Sequence, residues 1–243
     1  MSNLFNEILY RPLFNALIFL YQYLSFHDLG IAIIFLTIII RLILFPLFYK
    51  GAKDQTILQR LAPKIKEIQK NHKDDKEKQT KAMLELYREH KVNPFSGFLL
   101  LLIQLPILIA LYRVFLAGFS SKTLSALYSF ISAPKFFNYS FLGIIDLSKP
   151  NIFIVLAAGI AQYFQTKLAV PKTNKPFKDL SAAERMGQQM IYLGPILTIV
   201  FLYFLNLPSA VGLYWLTTSV FSAIQQIIIN EKIKTINYES RTN

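Results

Sequence analysis

Residues 186–230 are 45 consecutive positions without a charged side chain, interrupted near the middle by Asn206-Leu207-Pro208-Ser209. A helix needs about 20 apolar residues to cross the hydrocarbon of a bilayer. The run therefore holds two crossings joined by a tight turn, and a soluble globular fold is excluded. Composition agrees: the chain is 53% hydrophobic and 16% charged, against about 45–50% and about 25% in ordinary soluble domains. It has no cysteine, which excludes a disulfide scaffold and any iron–sulfur or zinc–thiolate site.

Apolar length predicts five transmembrane helices, at 29–49, 95–119, 151–169, 187–205 and 209–229. The apolar runs are continuous rather than alternating, so lipid-facing strands are not expected. Residues 1–28 are apolar but broken by Asn6, Glu7, Arg11, Pro12 and Asn15. They lack the basic start and small-residue cleavage site of a signal peptide and read as an amphipathic helix lying in the interface. In 50–94, Ile57, Leu58, Leu61, Ile65 and Ile68 recur at helical spacing, as do Met83, Leu86, Tyr87 and His90. Between them 72–77 has no apolar residue, so the segment predicts an antiparallel helical hairpin, kinked or restarted at Pro63. The remaining connections are 120–150, with a short interfacial helix expected over 123–133, then 170–186 and a tail at 230–243. The fold class is an all-α integral membrane protein.

Orientation follows from the excess of Lys and Arg in cytoplasmic loops. Residues 50–93 carry 12, residues 167–186 carry 5 and the tail carries 3; the other side has Arg11, Lys122, Lys135 and Lys149. The hairpin and the C-terminus are thus expected in the cytoplasm and the N-terminus outside. The net charge of +12 is read as a topology signal and a contact with anionic headgroups, not as a nucleic-acid surface.

Arg41 is the most informative single residue. It lies between Ile38-Ile39-Ile40 and Leu42-Ile43-Leu44, and no Asp or Glu occurs in the five spans to neutralise it. A charge at bilayer depth costs about 2.5–3.5 kcal/mol on insertion scales, and such residues usually face a wet cavity or an ionic partner. The cytoplasmic interface is about 13 Å of helix rise away, a long reach for a snorkelling side chain. A hydrated cavity is expected instead, and polar residues are available to wall it. Trp215, Thr218, Ser222 and Gln225 recur on one face of the fifth span; Gln162 and Gln165 share a face of the third; Gln104 sits mid-span beside Pro106; Thr37 is one turn before Arg41. Such groups also serve as interhelical hydrogen-bonding partners. Arg113, near the outer end of its span, is explained by reach to the interface and is given no role.

Enzyme signatures are missing. The sequence has no His-Glu-x-x-His, no Gly-x-Ser-x-Gly and no glycine-rich phosphate loop. His27, His72 and His90 are scattered, so no metal site is expected, and no cofactor. Without intramembrane carboxylates, proton-coupled transport and aspartyl proteolysis lack their chemistry. A small-solute channel or transporter is the rival reading; it would need a through-path and usually a repeat, and no internal repeat is visible.

A family resemblance rests on motifs in order. They are Tyr10-Arg-Pro-Leu-Phe-Asn15, Ile38-Ile-Ile-Arg-Leu-Ile-Leu-Phe-Pro46, Pro63-Lys-Ile-Lys-Glu-Ile68 and Leu86-Tyr-Arg-Glu-His-Lys-Val-Asn-Pro94. Leu102-Ile-Gln-Leu-Pro-Ile-Leu-Ile-Ala-Leu-Tyr112 is the most specific, followed by Gly212-Leu-Tyr-Trp-Leu216 and Gln225-Gln226. Together they resemble the YidC family of membrane protein insertases. The resemblance implies five helices around a hydrophilic groove open to cytoplasm and lipid, in the bacterial plasma (inner) membrane. It places the family's groove arginine at Arg41 and groove-wall residues at Gln104, Gln162, Gln165 and Trp215. It implies nascent membrane proteins as substrates and the bilayer, the ribosome and the Sec translocon as partners. The large outer domain of many relatives, the span that anchors it and a lipid-modified cysteine are not seen in this sequence. The tail carries only three basic residues, which argues against ribosome docking through a long basic extension.

Overall fold

The computed structural model describes residues 3–117, 121–134, 136–170, 173, 176–180 and 182–242. Eight helices of more than one or two turns occur among them: α1 Arg11–Tyr23, α2 Leu29–Ile43, α3 Phe45–Asn71, α4 Lys76–Glu89, α5 Ser96–Ala117, α6 Ile152–Ala169, α7 Ala182–Phe204 and α8 Ser209–Thr242. A helical turn Asn3–Phe5 and a π-helical stretch Asn6–Tyr10 lead straight into α1. Four helices are long and apolar enough to cross a membrane, over Ser96–Phe115, Ile152–Ala169, Glu184–Phe204 and Ser209–Lys232. A fifth span arises when α2 and α3 are taken as one bent unit. The chain is an all-α, multi-pass membrane protein.

The bend refines the first expected span. Rather than running straight over 29–49, the chain turns by 71° at a break between Ile43 and Phe45. Leu44 there has φ −88° and ψ 5°. Pro46 follows in the first turn of α3, where a proline's missing N–H would have no helical partner anyway. Pro63 does not end its helix, and α3 continues to Asn71.

Side-chain caps fix where the helices start. Asp28 accepts from Ile31 N (2.9 Å), Asp75 from Lys78 N (3.0 Å), and Asn151 from Phe153 N (2.9 Å) and Ile154 N (3.4 Å). Each satisfies a backbone donor that a helix start leaves open. α6 lies between α7 and α8, and α8 packs on α2. Gly212 lets α8 approach closely: a Cβ there would stand 2.7 Å from Ile154 Cγ2. Small residues at such crossings let backbones meet where the solvent is lipid.

The main apolar core occupies the end opposite the hairpin. Phe14, Leu17, Ile18 and Tyr21 of α1 face Leu29, Ile33 and Leu36 of α2, Ile107, Leu111 and Val114 of α5, and Ala210 and Leu213 of α8. One face of the N-terminal helix is thus built into this core, and Phe19 and Tyr23 are exposed on the other. Arg113 adds a tie: its Nη1 donates to Asn6 Oδ1 at 3.1 Å, and its guanidinium lies 5.2 Å from the Tyr10 ring centre.

The connection between α5 and α6 differs from the helix expected over 123–133. Only Ser121–Leu124 is helical. Beyond it the backbone bonds to α1 instead: Tyr128 N donates to Asn15 Oδ1 (2.7 Å), and Ala126 O accepts from Arg11 Nε (3.1 Å) and Asn15 Nδ2 (3.2 Å). Next comes a two-stranded antiparallel ribbon, β1 Ser140–Phe141 with β2 Ile145–Asp146. The helical hairpin of α3 and α4 holds its own small cluster of Leu61, Leu86 and Val92, packed against Ile57, Leu58, Ile65, Ile68 and Tyr87.

Candidate functional site

Arg41 sits in the last turn of α2, just before the bend. The bend folds the first turns of α3 back beneath it, so its guanidinium lies 4.3 Å from the centre of the Phe48 ring. The residue is 6% exposed, and among the described residues no carboxylate pairs with it. The aromatic face offers a cation some attraction, worth about 2 kcal/mol when desolvated. That does not replace the hydration of a guanidinium. The group borders a cavity of about 480 Å³, where water or an anion has room.

The cavity is walled by α2, α3, α5, α6 and α8. Of the residues singled out from the sequence, Arg41, Gln104, Gln162, Gln165, Trp215, Thr218 and Ser222 all line it. Thr37 does not: it is buried, and its hydroxyl donates to Ile33 O of its own helix at 2.7 Å. Phe48, Gln55, Tyr214, Ser219 and Gln226 line it too, although the sequence pattern assigns none of them to the wall. Part of this set was readable, because Tyr214, Thr218, Ser222 and Gln226 recur at every fourth position.

The polar groups divide by what they touch. Gln104 Nε2 donates to the Tyr214 hydroxyl in a short bond between α5 and α8. Gln162 Oε1 accepts from both Trp215 Nε1 (3.3 Å) and Ser219 Oγ (3.0 Å), tying α6 to α8. These groups are committed to the wall. Gln165 Oε1 and Gln225 Nε2 have no hydrogen-bond partner among the described residues and belong to residues that line the cavity.

One turn of α3 organises the hairpin end. Asp54 is buried and accepts from Ser96 Oγ (2.6 Å) and Asn93 N (3.4 Å), fastening α3 to the start of α5. Gln55 lines the cavity. Thr56 Oγ1 accepts from Gln226 Nε2 (2.9 Å), which also donates to Asn230 Oδ1 (3.1 Å), while Asn230 Nδ2 donates to Leu168 O (2.8 Å). Asp54 and Thr56 thus link the hairpin to α5 and α8 and, through Gln226 and Asn230, to α6.

The cavity occupies the hairpin half of the bundle. Along α8 it runs from Tyr214 to Gln226, about 18 Å at 1.5 Å per residue. Beyond Tyr214 the space is filled by the apolar core. No cluster of His, Asp and Glu able to hold a metal occurs among the described residues.

Residues 19–236 match the family described as 60Kd inner membrane protein. The membrane protein insertase YidC of Geobacter metallireducens is 34% identical over 229 residues, covering 93% of this chain and 37% of that protein. That of Campylobacter jejuni is 35% identical over 221 residues, 91% of this chain and 37% of the relative. That of Wolinella succinogenes is 34% identical over 226 residues, with 92% and 37% covered. The chain therefore spans less than two-fifths of the length of these relatives. The family match takes in every residue that lines the cavity, and the chain belongs to the 60Kd inner membrane protein (YidC) family.

Proposed function

We propose that the protein is a membrane protein insertase and chaperone that moves short polar tails of newly made membrane proteins into the bilayer through the polar cavity. The carrying observation is a cavity with an unneutralised arginine in one half of the bundle and a dry core in the other. A charged residue at mid-bilayer depth costs about 2.5–3.5 kcal/mol on insertion scales, and the hydrocarbon is about 30 Å thick. A wet notch reaching about 18 Å along α8 shortens the dry path for such a tail. Arg41 supplies an attraction for acidic residues that strengthens away from bulk water. The substrate's apolar segment then leaves sideways into lipid by its own hydrophobicity. No nucleotide enters this scheme.

In this reading Arg41 receives the tail's charge, and Gln165, Thr218, Ser222 and Gln225 offer polar contacts along the way. Gln104, Gln162 and Trp215 hold the wall in shape. Thr37 is structural. The hairpin and the C-terminus face the cytoplasm and the N-terminus lies outside, because 20 of the 26 basic residues fall on the hairpin side. The substrates are nascent membrane proteins, with the ribosome and the Sec translocon as partners delivering them.

The test is insertion into vesicles containing the purified protein, using a single-span substrate with a short acidic tail and protease protection as readout. Arg41→Ala is expected to reduce protection at least tenfold, to near the level of protein-free vesicles. Arg41→Lys should keep more, since it retains charge and loses only the planar fork. Unchanged insertion by Arg41→Ala at equal protein level would falsify the reading.

A further inference from the structure

The connecting segments opposite the hairpin expose large apolar side chains. Phe26 is 91% exposed, Phe136 86%, Ile144 83% and Phe130 75%. Apolar tips this exposed are costly in water when they gather in one region. We propose that this end of the molecule is seated in the headgroup–acyl boundary of the bilayer, its loops in contact with lipid. The proposal needs only that the chain crosses the membrane; it does not depend on the insertase reading.

The depth of these tips is fixed by how the loops are fastened. Phe141 lies flat on Gly30, the second residue of α2, where any side chain would collide with its ring. Leu142 N donates to Asp28 Oδ2, the same carboxylate that caps α2, at 2.6 Å. On the other side of the ribbon, Leu147 O accepts from Ala210 N (3.1 Å), and Lys149 O accepts from Ser209 N (3.0 Å) and Ser209 Oγ (2.6 Å). The ribbon is thus laced to the first turns of α2 and α8, level with the ends of the spans. Its tip at Leu142–Ile144 cannot stand far above them. Phe136 is held at the same level, its carbonyl accepting from the Tyr21 hydroxyl, which in turn accepts from Asn138 N at 2.8 Å.

Lipid is the occupant that fits. Phe153 in the first turn of α6 and Phe204 at the last residue of α7 are exposed at the same end of their spans, so the loop tips continue the lipid-facing surface. Beside the ribbon, Lys149 pairs with Asp146 at 3.2 Å. Aromatic rings with nearby polar groups are the usual furniture of a membrane interface. The seat also has a mechanical consequence: it sets the dry core, rather than a water-exposed cap, at the boundary of the lipid.

Fluorescence tests the proposal, because Trp215 is the single tryptophan. In a Trp215→Phe background, Phe26→Trp and Ile144→Trp would each be read in phosphatidylcholine vesicles with and without bromine at carbons 6 and 7. Lys73→Trp, in the hairpin turn, serves as the water reference, and Phe136→Trp as a second reporter where a first fails to fold. Bromolipid is expected to remove at least half of the emission at 26 and 144, and acrylamide to quench them several-fold less than position 73. Quenching by acrylamide as at position 73, with no effect of bromolipid, would place the tips in water and overturn the proposal. Protection from both quenchers would overturn it too, assigning the surface to a protein partner or a second copy.

Discussion

Arg41 and Phe48 form a pair across the bend. Seven residues apart in sequence, they meet where the chain turns by 71°. The ring steadies the guanidinium without neutralising it, and an aspartate in that place would have removed the very charge the cavity offers. Phe48→Leu keeps the bulk and loses the π face, worth about 0.5–2 kcal/mol. Insertion of acidic-tailed substrates is expected to fall by roughly twofold to tenfold, less than for Arg41→Ala, while Phe48→Tyr stays near wild type. The vesicle assay with all three variants at matched levels checks the ranking. Arg41 was legible in the sequence because a charge inside an apolar run violates a one-dimensional pattern. Phe48 was not, because an apolar residue inside an apolar run violates nothing and its role exists only in three dimensions. Thr37 shows the opposite error: a threonine in a helix can bond the carbonyl one turn back, and spacing alone does not separate that from a lining role.

The hairpin is tied to the bundle at its base by polar contacts as well as by packing on α5. Its own core buries only three side chains, each worth up to about 1.5–3 kcal/mol, so the tie through Asp54 matters to the whole element. Asp54→Ala leaves Ser96 and the Asn93 N–H without their acceptor, a loss of about 1–3 kcal/mol. Faster amide exchange across α4 and the 90–96 segment is expected, with α6 and α7 unchanged; uniform exchange everywhere would refute a local tie. At the far end of the hairpin, the Lys78 backbone N–H, then the Lys78 ammonium, hold the Asp75 carboxyl below its ordinary value of 3.8. A lowered value means the ionised cap favours the folded helix. That contribution is complete above the ordinary value and disappears as pH falls through the lowered one. Protection at the start of α4, taken relative to the intrinsic exchange rate at each pH, should therefore fall on acidification below about pH 4, and Asp75→Asn, which keeps a capping oxygen without the charge, should lose that pH dependence. Spans and hairpin were legible because apolar length and helical spacing are local properties. The bend was not: Pro63 and Pro46 are equal signals in sequence, and the chain yields at the one beside the change from apolar span to charged hairpin.

At the scale of the whole molecule, the bundle holds a polar-lined cavity in one half and an apolar core in the other, and α8 samples both. Tyr214, Thr218, Ser222 and Gln226 border the cavity, whereas Ala210 and Leu213 are buried in the apolar core. A through-channel would expose both sets to water, and an insertase cavity only the first. The absence of cysteine makes this measurable, since every introduced thiol is the sole reporter. A water-soluble maleimide reacts with thiolate, which forms only where water reaches. With reagent added on the hairpin side of sealed vesicles, Ser222→Cys is expected to label fastest and Thr218→Cys more slowly. Ala210→Cys should stay unlabelled until the protein is unfolded in detergent. Labelling at 210 as fast as at 222 would mean that water runs through the bundle, and the division that underlies the insertase reading would be gone. A flat, slow profile at all three positions would mean that Arg41 is buried in a dry site, and the tail would have no polar route to it.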